Sequence, residues 1–296
     1  MTQPRRFLPK TTYFITRRCT QRLFLLKPTR LNSSIFLYCL AVAAQKTGVT
    51  IHAICVVSNH YHALASDPGT NIAQFYGWLH KYVSKAVNAS LGRFENMWAS
   101  EKTSAIALNE RQDVLSKIIY TLANPVEARL VAKGKRWPGV WLYKRSHSQS
   151  IERPDIYFRK DGDMPSRVEL NIEPPPQFQD MSDEEYEQFI FAKLAEQESK
   201  IHTEMESMGQ SFLGIRAVMK QRPYSSPRTR EKRFGINPNI AAKNKWLRME
   251  AIGRHKEFLF EYRQALKRWK EGDRDVIFPA GTYALRIYAG VKCHPG

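Results

Sequence analysis

The spacing of apolar residues divides the first 145 positions into a series of short elements. Thr11 to Arg18 (TTYFITRR) is rich in β-branched and aromatic residues and predicts a strand. Gln21 to Lys27 predicts a basic-apolar loop or short hairpin, and Ser33 to Lys46 has the length and composition of a helix, with Gly48 just past its end. Val49 to Val57 (VTIHAICVV) and His60 to Ser66 (HYHALAS) predict two strands joined by a turn at Ser58-Asn59. Asp67-Pro68-Gly69 turns the chain again. Asn71 to Leu91 carries Ile72, Phe75, Leu79, Tyr82 and Val83 at helical spacing, and Gly92 closes it. Thr103 to Leu108 predicts a short strand. Asn109 with Gln112 has the form of a capping box for a helix reaching about Asn124, where Pro125 is expected to stop it. A second short helix is expected over Val126 to Ala132, and Trp137 to Trp141 (WPGVW) closes the unit. The order β-α-β-β-α-β-α implies an α+β sandwich, an antiparallel sheet covered by helices.

Beyond residue 150 the character changes. Pro174-Pro175-Pro176 reads as a linker, and Ser182 with Glu185 forms a capping box ahead of an acidic, amphipathic helix to about Glu206. A further helix is expected over Phe212 to Gln221, followed by a basic, turn-rich stretch over 222–239. Asn244 to Glu271 predicts one long helix, and Val276 to Lys292 two short strands around Gly281. No internal repeat is present. The division is a candidate catalytic unit over 1–150 and a mainly helical extension over 151–296, to which the sequence attaches no chemistry.

Composition narrows the class. A hydrophobic fraction of 43% and an aromatic fraction of 11% support a packed core and exclude a disordered chain. The net charge is +18 and unevenly placed. Residues 1–150 hold 21 Lys/Arg against 6 Asp/Glu, or +15, whereas 151–296 hold 25 against 22, or +3. A positive field of that size attracts polyanions, nucleic acid first among them; a merely soluble basic protein is the plainer alternative. Cys19, Cys39, Cys55 and Cys293 show no metal or redox spacing and are expected as reduced thiols of a cytoplasmic protein. The longest apolar run, Ile35 to Ala44, is about half of what a membrane helix needs, so a buried helix and no membrane partner are expected.

Two local features carry candidate chemistry. In a strand, residues i and i+2 face the same way about 7 Å apart, so His60 and His62 present two imidazoles side by side while Tyr61 points into the opposite layer. Two neutral imidazoles leave a metal with open positions for phosphate oxygen and water. Two incidental histidines are the alternative, and His52 raises a rival three-histidine site. The second feature is Tyr120 with Asn124, four apart on one helix face. A phenol can attack a phosphodiester and retain the bond energy as a phosphotyrosine, and its pKa of about 10 makes the attack readily reversed. Asn124 offers a neutral oxygen to the same metal. A core tyrosine before an ordinary helix stop is the alternative.

Taken together, Thr20-Gln21-Arg22-Leu23-Phe24 after the first strand, Asn59-His60-Tyr61-His62 on a central strand, and Tyr120 with Asn124-Pro125-Val126 on a later helix resemble the single-tyrosine HUH transposases, in particular the REP-associated tyrosine transposases. The resemblance covers roughly residues 5–145. It implies a ferredoxin/RRM-like HUH nuclease core, with His60 and His62 binding Mg²⁺ or Mn²⁺ and Asn124 as third ligand or positioning group. Tyr120 is the implied nucleophile, leaving a 5′-phosphotyrosine and a free 3′-OH on single-stranded DNA, usually beside a hairpin. A single tyrosine fits because position 124, where two-tyrosine relatives often carry the second, is asparagine. The chain departs from the pattern at Ala63, where leucine is common, and at Glu127-Ala128-Arg129-Leu130-Val131, where Arg-Ala-Gly-Leu-Val is common. Arg17, Arg18, Arg22, Lys27, Lys81 and Lys85, with Arg93, are candidate DNA contacts. Trp78, Tyr82 and Trp98 are candidate base-stacking rings. Arg222, Arg228, Arg230, Lys232 and Arg233 form a candidate second contact. A homodimer is left open. Two other readings compete: a domesticated hairpin-DNA-binding protein or regulator with little cleavage, and a metal-dependent hydrolase that uses water in place of the tyrosine.

Overall fold

In the computed structural model, which describes residues 4–229 and 244–295, the chain first builds β1 (Thr11–Arg18), α1 (Arg30–Thr47), β2 (Thr50–Val57), β3 (His60–Asp67), α2 (Ile72–Leu91), β4 (Ser104–Leu108) and α3 (Arg111–Glu127). With a two-residue edge strand β5 (Trp141–Leu142) these form one sheet of order β4-β1-β3-β2-β5, antiparallel at every pairing. The first six elements have the βαββαβ order of a ferredoxin-like sandwich.

Strand parity sorts the sheet into two layers. Tyr13 and Ile15 of β1 join Tyr61, Ala63 and Ala65 of β3 beneath α1 and α2. Phe14 and Leu64 point the other way, into a second cluster with Val114, Ile118, Leu122 and Val126 of α3. Those four recur every fourth residue and face the sheet, each contributing about 1.5–3 kcal/mol on burial. The neighbouring stripe of α3, Lys117, Tyr120, Asn124 and Glu127, is thereby aimed along the same sheet face.

Several boundaries differ from expectation for local reasons. α1 starts a turn early because the Thr29 hydroxyl accepts the Asn32 N–H at 3.1 Å, and Gly48 ends the helix with left-handed backbone (φ 69°). The Asn109–Gln112 box does not form; Glu110 precedes the helix without a side-chain cap. Pro125 does not stop α3, and the separate helix expected over Val126 to Ala132 is absent. A proline forfeits only the bond to the Thr121 carbonyl. The turn that follows is held from outside by buried Val126 and by the N–H groups of Arg129 and Leu130 folding back onto the Val126 and Pro125 carbonyls. Arg129 takes the left-handed position (φ 59°) that glycine usually fills at such a helix end.

The remaining chain packs on both layers. A ribbon of β6 (Gln149–Glu152) and β7 (Arg167–Leu170), unmarked in the sequence pattern, lies against α1. Instead of a free linker, the prolines lead into a short 3₁₀ turn, Pro176–Phe178, whose Phe178 is buried under the second layer. α4 (Asp183–Ser207) begins with the expected Ser182–Glu185 capping box and runs along α3. α5 (Ile215–Lys220), α6 (Lys245–Lys270) and α7 (Ala284–Ala289) follow. Two strands around Gly281 do not form: Phe278 makes a single bridge to Cys293, and α7 occupies the apolar stretch, closed by Gly290 at φ 64°. Both hydrophobic layers continue past residue 150, through Ile151, Val168 and Ile172 on one side and Tyr186, Ile190 and Leu194 on the other. Among the described residues no helix is long and apolar enough to cross a membrane.

Candidate active site

The hairpin turn between β2 and β3 delivers His60 and His62 to the α3 side of the sheet, their ring centroids 4.9 Å apart. Tyr61 faces away, its hydroxyl 2.6 Å from His80 Nε2 in the α1/α2 layer. From α3, the Tyr120 ring meets the His62 ring edge-on at 5.0 Å and the Phe14 ring at 5.9 Å. Asn124, one turn further, is buried and lies beside His60. Four residues singled out by spacing are thus neighbours across the gap between one strand and one helix.

Each imidazole is oriented through its Nδ1. The Asn59 side-chain amide donates to the Arg22 carbonyl (3.2 Å), which turns its Oδ1 towards His60 Nδ1 at 2.7 Å. That oxygen only accepts, so His60 carries its proton on Nδ1 and keeps a lone pair on Nε2. Thr16 Oγ1 lies 2.9 Å from His62 Nδ1, and the Phe14 ring stacks on His62 at 5.3 Å. His62 Nε2 and Asn124 Oδ1 are both buried without a hydrogen-bond partner. Burial lowers the His60 pKa to about 4, with Arg18 and Arg22 acting in the same direction and the Asn124 carboxamide opposing. Burial, reinforced by His60 and Lys117, pushes His62 well below the usual histidine range. Both rings are therefore neutral at pH 7, the form that donates to a metal.

An orphaned buried polar atom costs about 1–3 kcal/mol, and two such atoms beside a third lone pair form a set that one cation satisfies. Two imidazole nitrogens and an amide oxygen could hold one divalent cation. This donor set suits Mn²⁺ better than Mg²⁺, which prefers oxygen throughout. His52 takes no part in it, which corrects the three-histidine alternative. A β-bulge displaces His52, and its Nε2 bonds Ser66 Oγ at 2.7 Å. Ser66 is four residues past His62, about 13 Å along the strand. Among the described residues no three His, Cys, Asp or Glu side chains cluster as a metal site.

Tyr120 is 37% exposed, so its ring is gripped on one side and open to a substrate on the other. Burial raises its pKa, and the Glu127 carboxylate adds to the rise. Lys117 Nζ lies 5.3 Å over the Tyr120 ring and 5.0 Å over the Phe14 ring. Glu127 is itself raised by burial, while Gln197 of α4 and Lys117 stabilise its charge. Sequence reasoning gave no role at the site to Thr16, Lys117, Glu127 or Gln197. Thr16 and Gln197 depend on cross-element register, but Lys117 and Glu127 belong to the 117-120-124-127 stripe, a helical repeat readable in the chain.

The candidate DNA contacts are dispersed. Arg17 pairs with Tyr61 in the sheet register, so it points to the layer away from the imidazoles, where it donates to the Ala99 and Glu101 carbonyls. Arg18 shares the His60 face and bridges to Glu101 at 3.0 Å. Arg22 donates to the Thr229 hydroxyl at 2.9 Å, and Lys27 is half-buried ahead of α1. Lys81 and Lys85 lie on α2, over the opposite sheet face, above the rings of Tyr82 and Tyr157. Trp78 and Tyr82 stack on each other at 4.0 Å, and Trp98 donates to the His80 carbonyl, so these rings pack the α1/α2 layer. Arg222 and Arg228 are exposed on the stretch that follows α5; Arg230, Lys232 and Arg233 lie outside the described residues.

No family model matches the sequence, and no curated protein matches it. Among solved structures, the chain is similar to a REP-associated tyrosine transposase bound to a REP hairpin. The TM-score is 0.40 at 20% identity, over 47% of this chain and 81% of that one. It is also similar to a protein provisionally described as a transposase from Deinococcus radiodurans R1, with a TM-score of 0.29 at 16% identity, over 40% of this chain and 93% of that one.

Proposed function

We propose that this protein is a transposase-type DNA transesterase that cuts and rejoins single-stranded DNA beside hairpins. The observation that carries the reading is the convergence of orphaned His62 Nε2 and Asn124 Oδ1 with His60, next to a half-open phenol. Tyr120 Oη bonds to the scissile phosphorus while the bond from phosphorus to the 3′ oxygen breaks. The phenol gives up its proton, and the departing 3′ oxygen takes one up as a free 3′-OH. The DNA keeps its 5′ phosphate as an ester of Tyr120, and attack by a 3′-OH reverses the step without an external energy source. His60, His62 and Asn124 would hold Mn²⁺ or Mg²⁺, which when bound neutralises charge on the phosphate oxygens. Asn59 and Thr16 keep the two rings turned for that task. The charge of +18 supplies the attraction for a polyanion.

Labelled hairpin-bearing single strands incubated with the protein and Mn²⁺, then resolved on a denaturing gel, test the reading. An SDS-resistant protein–DNA band is expected, absent in Tyr120→Phe and in His60→Ala. Cleavage without that band identifies a hydrolase, and binding without cleavage a domesticated binding protein; either result overturns the proposal.

A further inference from the structure

The extension beyond residue 150 returns to the catalytic end of the sheet. After α5, residues 221–229 lie across the β2–β3 turn and the loop that follows β1. Ser58 Oγ donates to Gln221 Oε1 at 2.9 Å, and the Phe24 N–H donates to the Ser225 carbonyl at 2.9 Å. The Arg22 guanidinium donates to the Thr229 hydroxyl and carbonyl at 2.9 and 2.5 Å. The Arg22 carbonyl accepts from Asn59, the residue that orients His60. A short chain of hydrogen bonds therefore joins this arm to the candidate site.

The outer edge of the arm carries an unusual combination. Tyr224 donates from its hydroxyl to the Leu91 carbonyl at 2.9 Å, which stands its ring up beside the end of α2. The Arg93 guanidinium lies 5.7 Å over that ring. Phe94, the next residue, is 100% exposed, and Tyr224 is 57% exposed. A single exposed ring needs no explanation. Here the Arg93 guanidinium lies over one ring and the next residue in the chain carries the second, while Arg22 is bonded to the arm and Arg222 and Arg228 are exposed within it; among the described residues none of these four arginines forms an ion pair. Glu95 is the acidic residue next to the rings, and it is exposed. Flat apolar faces among uncompensated cations match a ligand that offers free π-faces strung on negative charge.

We propose that Phe94 and Tyr224, with Arg22, Arg93, Arg222 and Arg228, form a second subsite that takes a single-stranded segment of nucleic acid outside the catalytic pocket. Bases stack on the two rings and the arginines take the phosphates. A duplex has no free base faces to offer, so the subsite selects the unpaired tail beside a hairpin. The inference rests on the reading of the protein as a DNA transesterase, and it gives the C-terminal extension a part in substrate binding.

The test is fluorescence anisotropy of the full-length protein, without metal, on a blunt DNA hairpin and on the same hairpin with a single-stranded tail. Phe94→Ser and Tyr224→Ser are each expected to weaken binding of the tailed hairpin about tenfold. Binding of the blunt hairpin should be unchanged. Phe94 is fully exposed, so its replacement leaves the fold intact and the result interpretable. Wild-type affinity of both serine variants for the tailed hairpin overturns the proposal. Equal loss on both hairpins also overturns it, because the rings would then serve the hairpin itself or the fold of the protein and not the unpaired tail. Failure of the transesterase reading registers elsewhere, as the absence of the covalent band while the tail-dependent binding persists.

Discussion

The charges flanking Tyr120 make opposite predictions for two neighbouring residues. In the proposed reaction the Tyr120 oxygen gains negative charge, which the Lys117 cation would favour and the Glu127 carboxylate would oppose. At the 5.3 Å between Lys117 Nζ and the Tyr120 ring centre, a unit charge pair is worth about 0.8 kcal/mol in water and about 3 kcal/mol at an effective dielectric constant of 20. With the ring 37% exposed, the lower part of that span applies, about 1–2 kcal/mol, or roughly tenfold in rate. Lys117→Met keeps the apolar stem over Phe14 and removes only the charge. It should slow single-turnover formation of the covalent adduct roughly tenfold and leave the Kd for DNA within about twofold, since one of many cations is lost. Glu127→Gln should accelerate the same step several-fold, and the double variant should return close to the wild-type rate. The gap between single variants should narrow as salt is raised. An unchanged rate in Lys117→Met, or a slower one in Glu127→Gln, refutes this account of how the phenol is tuned.

Arg129 holds left-handed backbone at φ 59° on an exposed surface, so Arg129→Gly is expected to stabilise the protein by about 1 kcal/mol in urea denaturation; no gain would mean that the arginine side chain compensates. Asn124→Leu removes one orphaned polar atom and should raise the metal-free Tm slightly, while abolishing the Tm increase that Mn²⁺ brings to the wild type; a retained Mn²⁺ response would take Asn124 out of the ligand set. Burial lowers the His52 pKa to about 4, against about 6.5 unfolded. The unfolded chain therefore binds the extra proton first as pH falls, and stability is full above about pH 6.5 and drains away towards pH 4, by about 2 kcal/mol at pH 5 from this residue. His52→Asn should flatten that part of the stability–pH curve, and an unaltered slope would contradict the assignment.

Much of the core was legible because its elements are long and strongly patterned. β1, the β2–β3 turn and the α4 capping box lie where spacing and side-chain chemistry put them. The side-by-side pair His60 and His62 follows from strand parity alone. What escaped had no such signal. β5, β6 and β7 are two to four residues long, too short for a period to emerge. The bulge at His52 leaves no mark in composition, yet it decides which residues His52 meets. Pro125 outweighed the apolar repeat in sequence reasoning, but burial of Val126 holds the helix together and carries the polar stripe on to Glu127. The arm over 221–229 looks like any basic loop until its bonds to Arg22, Phe24 and Ser58 are seen.

Mass spectrometry of the trapped adduct addresses the nucleophile directly. After nuclease trimming and trypsin digestion, the account predicts that peptide 118–129, which contains no tyrosine other than Tyr120, carries the mass of a 5′-linked nucleotide on that side chain. A nucleotide on a different tyrosine, or DNA cut with every tyrosine unmodified, would contradict it.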